Sequence, residues 1–83
     1  MNLITIRGRS YITLTEAAEC YRVQVSWVEE VYEYGLLGAG ETVEEEIAVP
    51  TEMLDRLAEI RRLQNQQGVN LAGIAIILDL LGR

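Results

Sequence analysis

The first third of the chain carries a hydrophobic pattern that changes from strand-like to helix-like. The β-branched cluster Leu3 to Ile6 predicts a short strand, which Gly8 breaks. Tyr11 to Leu14 either extends the strand or leads into a helix, since Thr13 and Thr15 each precede glutamates that supply helix-start signals. Apolar residues then follow an i, i+3, i+4, i+7 stripe, which predicts a short helix buried along one side: Leu14, Ala17, Ala18 and Tyr21.

A second amphipathic helix is predicted after the link Arg22 to Val25. It begins either at Ser26, through a capping box, or at Gln24. Its apolar side spans about 140° of the helix: Trp27, Val28, Val31 and Tyr32. Three acids gather on the opposite side and face outward: Glu29, Glu30 and Glu33. Gly35 stands where a left-handed C-terminal cap needs a residue without Cβ, so the helix is expected to end there.

The middle of the chain predicts a β wing followed by a long helix. Residues 38–50 combine a glycine-bearing turn, the acids Glu44 to Glu46 and a strand-like stretch, Ile47 to Val49. We expect that strand to pair with Leu3 to Ile6 and the three acids to be solvated. Thr51 is predicted to cap a helix that runs to about Gln67, with its buried centre at Met53, Leu57 and Ile60 and its end at Gly68.

The last predicted helix is apolar around nearly its whole circumference. Asn70 is its expected cap, and Asp79 is the residue that calls for solvent. The rest of this small domain can cover only one side of such a helix, so its remaining surface is expected to meet another chain. The candidates for a homodimer or partner contact are Ile77, Leu78, Leu80 and Leu81.

Composition narrows the class of partner. Eighty-three residues with 49% hydrophobic content suit one domain over residues 1–83. Thirteen acidic residues against seven basic ones, all arginine, give a net charge of −6. A negative domain is repelled by phosphate backbones and by anionic membranes, whereas a basic protein is attracted to it. We therefore predict a protein partner and disfavour DNA and membrane.

The side chains that carry catalysis and metal binding are scarce. The sequence has no His and no Lys, and Cys20 is its single cysteine, which we expect to be a buried thiol. We predict no catalytic residues, no metal and no cofactor, so the chain is not expected to be an enzyme. The longest apolar run, Leu71 to Leu78, is far shorter than the ~20 residues that cross a bilayer, and no leader is apparent, which predicts a cytoplasmic protein.

The order of these elements resembles the winged helix-turn-helix fold of the MerR superfamily. Within it, the stretch EIRRLQNQQGVNLAGIAIILDLL resembles the chaperone modulator family CbpM, through Arg62, Leu63, the cap Asn70 and the Gly-Ile-Ala start at residues 73–75. The resemblance implies a mainly α, MerR-like winged helix-turn-helix domain of about four helices with a small two-stranded β wing. Many members of that family continue into a further coiled-coil helix, which would lie beyond Arg83.

The resemblance also implies a function. CbpM proteins bind the J domain of a DnaJ-like co-chaperone of the CbpA type and keep it from productive contact with DnaK. The J domain presents a basic helix, which is the surface that DnaK needs and that an acidic helix can occupy. The matching surface here is the acidic second helix, with partner-binding candidates Glu29, Glu30, Glu33, Tyr32 and Tyr34. MerR-type regulators carry phosphate-binding arginines where this chain has Ser26, Glu29 and Glu33.

The alternative function is a MerR-like DNA-binding transcriptional regulator. It would use Arg56, Arg61 and Arg62 for contacts with the DNA backbone. We instead expect Arg56 to form an i, i+4 pair with Glu52, which precedes it by one helical turn.

Overall fold

Helices and short strands occur in blocks along the chain. The computed structural model describes residues 2–80 and 82, and Leu81, a predicted contact residue, lies outside them. In this part of the chain the strands are β1 (Ile4–Ile6), β2 (Arg9–Thr13), β3 (Glu41–Val43) and β4 (Glu46–Pro50). The helices are α1 (Leu14–Tyr21), α2 (Val25–Glu33), α3 (Leu54–Gln67) and α4 (Leu71–Leu80). The four predicted helices are confirmed among the described residues, but the sheet has four strands rather than two.

The described strands form one antiparallel sheet in the order β1-β2-β4-β3. The predicted pairing of Ile47 to Val49 with the first strand is wrong, because β2 lies between them and places Ile12 opposite Val49. The cause is a tight turn at Arg7 and Gly8, both with positive φ (49° and 79°), which folds the chain back at once into a hairpin. Residues 11–14 do not extend the first strand: Tyr11 to Thr13 belong to the separate strand β2, and Leu14 begins α1.

The core lies between one face of the sheet and the helices. Its fully enclosed side chains come from every helix and from β2 and β4, and they include Ile12, Val28, Val31, Val49, Leu57, Ile60 and Ile74. The predicted stripe of α1 is buried at Leu14, Ala17 and Ala18, while Tyr21 packs against it half-buried. Burying such side chains contributes about 1.5 to 3 kcal/mol each, which makes this core the main source of stability.

The ends of α1 and α2 are set by capping groups and by residues in left-handed conformations. The Thr13 hydroxyl accepts a hydrogen bond from the Glu16 backbone at 3.1 Å. Helix α2 begins after Gln24, so Ser26 lies inside its first turn and the capping box is not formed. Gly35, with φ 75°, ends α2 in a Schellman arrangement in which its amide donates to the Tyr32 carbonyl at 2.9 Å. The chain then returns Leu36 and Leu37 to the core.

Helix α3 starts differently from the prediction. Pro50 is the last residue of β4, so the chain enters α3 through a 3-10 turn, Thr51–Met53. The Thr51 hydroxyl donates to the Ser10 carbonyl at 3.4 Å instead of capping the helix. The predicted end is confirmed, since Gly68 is left-handed (φ 65°). The cap of α4 is confirmed as well, because Asn70 Oδ1 accepts a hydrogen bond from the Gly73 amide at 2.8 Å.

Two local predictions are wrong for reasons of geometry. Cys20 is exposed, because it lies off the apolar stripe of α1 and toward solvent. Arg56 does not pair with Glu52; its Nη1 donates to the Leu36 carbonyl at 3.1 Å, and Glu52 pairs with Arg9. The described helices include none that is both long and apolar enough to cross a membrane.

Candidate functional site

Helices α1 and α2 form a helix-turn-helix whose turn is fixed by the backbone. Arg22 adopts a left-handed conformation (φ 56°) and the Val23 amide donates to the Ala18 carbonyl at 3.0 Å. Three residues thus connect the two helices. Trp27 Nε1 donates a hydrogen bond to Gln64 Oε1 at 2.7 Å, which ties α2 to α3. Contacts with α1 and α3 therefore hold α2 in place while its outward face remains accessible.

The outward face of α2 carries the predicted acids. Glu29, Glu30 and Glu33 are all exposed, as the helical spacing predicts. Of the two tyrosines proposed beside them, Tyr34 is 49% exposed and open to a partner. Tyr32 is half-buried and packs against the core, and its hydroxyl lies beside Gly40, where an added Cβ would approach it to 2.7 Å. The structure therefore places Tyr32 at the junction of α2 and the wing.

We define the wing as β3, β4 and their connecting turn, Glu44 and Glu45. Between the wing and α2 lies a groove of about 190 Å³. Its lining residues come from the start of α1, from α2 and from the wing: Leu14, Thr15, Val25, Glu29, Glu45, Glu46 and Ile47. Glu30 and Glu33 are not among them. The structure thus joins Glu29 to two wing acids that the sequence analysis treated as a separate solvated segment.

The groove combines negative charge with apolar surface. Among its lining residues in the described chain there are three glutamates and no arginine. Val25 and Ile47 are 39% and 36% exposed, so they offer apolar contact beside the carboxylates. Arg7 pairs with Glu41, the first residue of β3, whose carboxylate raises the pKa of the guanidinium. Such a groove suits the long aliphatic stems and cationic ends of Lys and Arg side chains from another protein.

The wing tip is built from residues that disfavour its conformation. Glu44 and Glu45 both have positive φ (49° and 69°) and form the two-residue turn between β3 and β4. That turn type favours Asn-Gly, because a Cβ in the left-handed region costs about 1 to 2 kcal/mol per residue. Strained backbone positions cluster at functional sites, so the strain in this turn, which adjoins the groove, supports a functional role for the groove. Sequence reasoning missed it, although the two-residue spacing between strand patterns was a usable signal.

The predicted contact residues of α4 divide into three groups. Leu78 belongs to the hydrophobic core at 1% exposure, so it is not available at the surface. Ile77 is half-buried and Leu80 is 80% exposed. Leu81 lies outside the described residues. Ile76, which was not singled out, is 61% exposed. The described apolar surface of α4 therefore centres on Ile76 and Leu80, and a contact through it stays a prediction.

The order of elements identifies the class of fold. A helix-turn-helix followed by a β-hairpin wing and a longer helix is the arrangement of winged helix-turn-helix domains. The chain matches the family model described as MerR HTH family regulatory protein over residues 12–83, so it belongs to that family. The match includes both walls of the groove. No curated protein and no solved structure matches the chain.

Proposed function

We propose that this domain is a chaperone modulator that binds the J domain of a DnaJ-like co-chaperone of the CbpA type and inhibits its productive interaction with DnaK. The observation that carries the proposal is the acidic groove between α2 and the wing, whose three carboxylates would repel the phosphates of DNA and attract a basic protein surface. The CbpM-like stretch from Glu59 to Leu81 supports the same partner. No catalytic role and no cofactor are proposed.

The three glutamates of the acidic groove are expected to make binding depend on salt concentration. Each exposed ion pair contributes about 0.2 to 1 kcal/mol, so pairs formed by Glu29, Glu45 and Glu46 would together contribute modestly. Their larger effect is on association rate and on discrimination between partners. Because the Debye length is about 10 Å at 0.1 M salt, the attraction is screened as salt is raised. Binding that weakens strongly with salt is therefore expected.

The competing candidate is a DNA-binding regulator, and membership of the matched family is compatible with either function. Of its proposed cations, Arg56 donates one hydrogen bond to the Leu36 carbonyl and Arg61 one to the Tyr21 carbonyl, while Arg62 is exposed. The acids on α2 and at the wing tip would repel the DNA backbone. A retarded, competitor-resistant band in a mobility-shift series at low salt would establish this candidate and replace the modulator.

The proposal is tested by titrating a purified J domain into the protein by calorimetry at low and high salt. Glu29→Arg, inside the groove, is expected to weaken binding about tenfold at low salt, and Glu33→Arg, outside it, by less. Glu19→Arg is the matched control: it makes the same change in charge at an exposed position of α1 away from the groove. Equal affinities for all three variants and the unmodified protein would contradict the proposal.

A further inference from the structure

A second groove lies between the end of α1 and α3. It has a volume of about 260 Å³ and is lined by Tyr21 from α1 and by five residues of α3: Ala58, Arg61, Arg62, Asn65 and Gln66. Its lining residues in the described chain include two guanidinium groups and two amides but no carboxylate. The lining of this groove is thus positively charged, although the protein as a whole has a net charge of −6.

The polar groups of this groove are arranged in rows along α3. Arg61 and Asn65 are four residues apart, as are Arg62 and Gln66, so each guanidinium lies one helical turn from an amide on the same face. Ala58 precedes Arg61 and Arg62 by one turn, and its small side chain leaves the space beneath them open. Four side chains with N–H donors therefore line the α3 wall of this groove.

Part of this groove is held in place. Arg61 Nη1 donates to the Tyr21 backbone carbonyl at 3.0 Å, and the Tyr21 hydroxyl donates to the Leu54 carbonyl at 2.8 Å. The first bond satisfies a carbonyl at the end of α1 and also fixes the guanidinium of Arg61. Because a guanidinium carries five N–H donors, the remaining ones of Arg61 are available to a ligand. Arg62 is exposed and supplies a second cation.

We propose that this groove binds an oxyanion, a phosphate or carboxylate group, between Arg61 and Arg62 with Asn65 and Gln66 as further donors. Guanidinium groups recognise such groups through paired, charge-assisted hydrogen bonds. The volume is below the about 300 to 1,000 Å³ of pockets for drug-sized molecules, which fits a small anion or a single anionic group of a larger one. The site is separate from the acidic groove and does not depend on the proposed J-domain interaction.

The test follows backbone and arginine side-chain resonances of the ¹⁵N-labelled protein during titration with inorganic phosphate, with acetate, and with sodium chloride at matched ionic strength. We expect saturable shifts in the groove with phosphate or acetate and none with chloride; the two oxyanion arms show which group is preferred. Arg62→Gln is expected to weaken that binding about tenfold, because one charge-assisted contact is lost without disturbing the Arg61 bond to Tyr21.

Arg22→Gln is the matched control, since Arg22 is exposed, lies next to Tyr21 in sequence and is not part of the lining. It removes the same charge and is expected to leave oxyanion affinity unchanged. Shifts that follow ionic strength alone, or equal losses in the Arg62 and Arg22 variants, would overturn the proposal. Circular dichroism of both variants verifies that the fold is retained.

Discussion

The strained turn at the wing tip is expected to lower the stability of the domain. Glu44 and Glu45 both adopt left-handed conformations in the turn between β3 and β4. Replacing them together by Asn and Gly supplies the residues that this turn favours and relieves about 1 to 2 kcal/mol of strain at each position. Asn retains part of that cost, so we expect a net stabilisation of about 1 to 3 kcal/mol. For a domain of this size, each kcal/mol corresponds to about 4 to 8 °C in Tm.

Urea denaturation and thermal unfolding measure this gain, and two controls isolate its cause. Glu44→Gln with Glu45→Gln keeps both Cβ atoms and removes both charges, so it is expected to yield little of the stabilisation. Arg7→Asn alters the corresponding hairpin turn between β1 and β2, which already holds Gly8, and should give a smaller gain. The reasoning is refuted if the glutamine pair stabilises as much as the Asn-Gly pair, since relief of charge repulsion would then be the cause.

Three further changes test other parts of the structure. Gly40→Ala should destabilise by about 1 to 3 kcal/mol in chemical denaturation, because the new Cβ would lie 2.7 Å from the Tyr32 hydroxyl; combination with Tyr32→Phe should recover part of the loss. Tyr21→Phe should cost about 0.5 to 1.5 kcal/mol at neutral pH through loss of the bond to Leu54. Burial raises the pKa of Tyr21 above 10.0. The neutral phenol therefore contributes to stability below pH 10.0, and this contribution is lost as the pH rises through the raised pKa of the folded protein. Denaturant unfolding in a series of buffers up to about pH 11 should show this loss in the unmodified protein and not in the variant. Leu80→Glu should lower the mass found by light scattering if α4 forms a dimer, and an unchanged mass would contradict that contact.

Helical periodicity predicted the helices well because one buried side determines which residues recur. The stripes of α1 and α2 and the glycine ends of α2 and α3 all follow from local rules that hold in any tertiary setting. Strand pairing was predicted less well, because it depended on a local turn that was not recognised and on the non-local pairing of β2 with β4. The turn at Arg7 and Gly8 created a hairpin that displaced the expected pairing, and only the tertiary arrangement shows that β2 lies between β1 and β4.

The candidate site was predictable only in part for the same reason. Exposure of Glu29 follows from its place on α2. Its approach to Glu45 and Glu46 depends on how the wing folds against α2, which involves residues far apart in sequence. Burial of Leu78 likewise results from the orientation of α4, since a helix apolar on nearly all sides does not indicate which side faces inward.

The most direct test of the central claim is to map the J-domain interface on this protein by NMR. A ¹⁵N-labelled sample titrated with unlabelled J domain at low salt is expected to show its largest amide shifts at Val25, Glu29 and residues 45–47, the two walls of the acidic groove. High salt should reduce them. Shifts confined to α4 or to the arginine groove of α3, or shifts unaffected by salt, would contradict an electrostatic docking site between α2 and the wing.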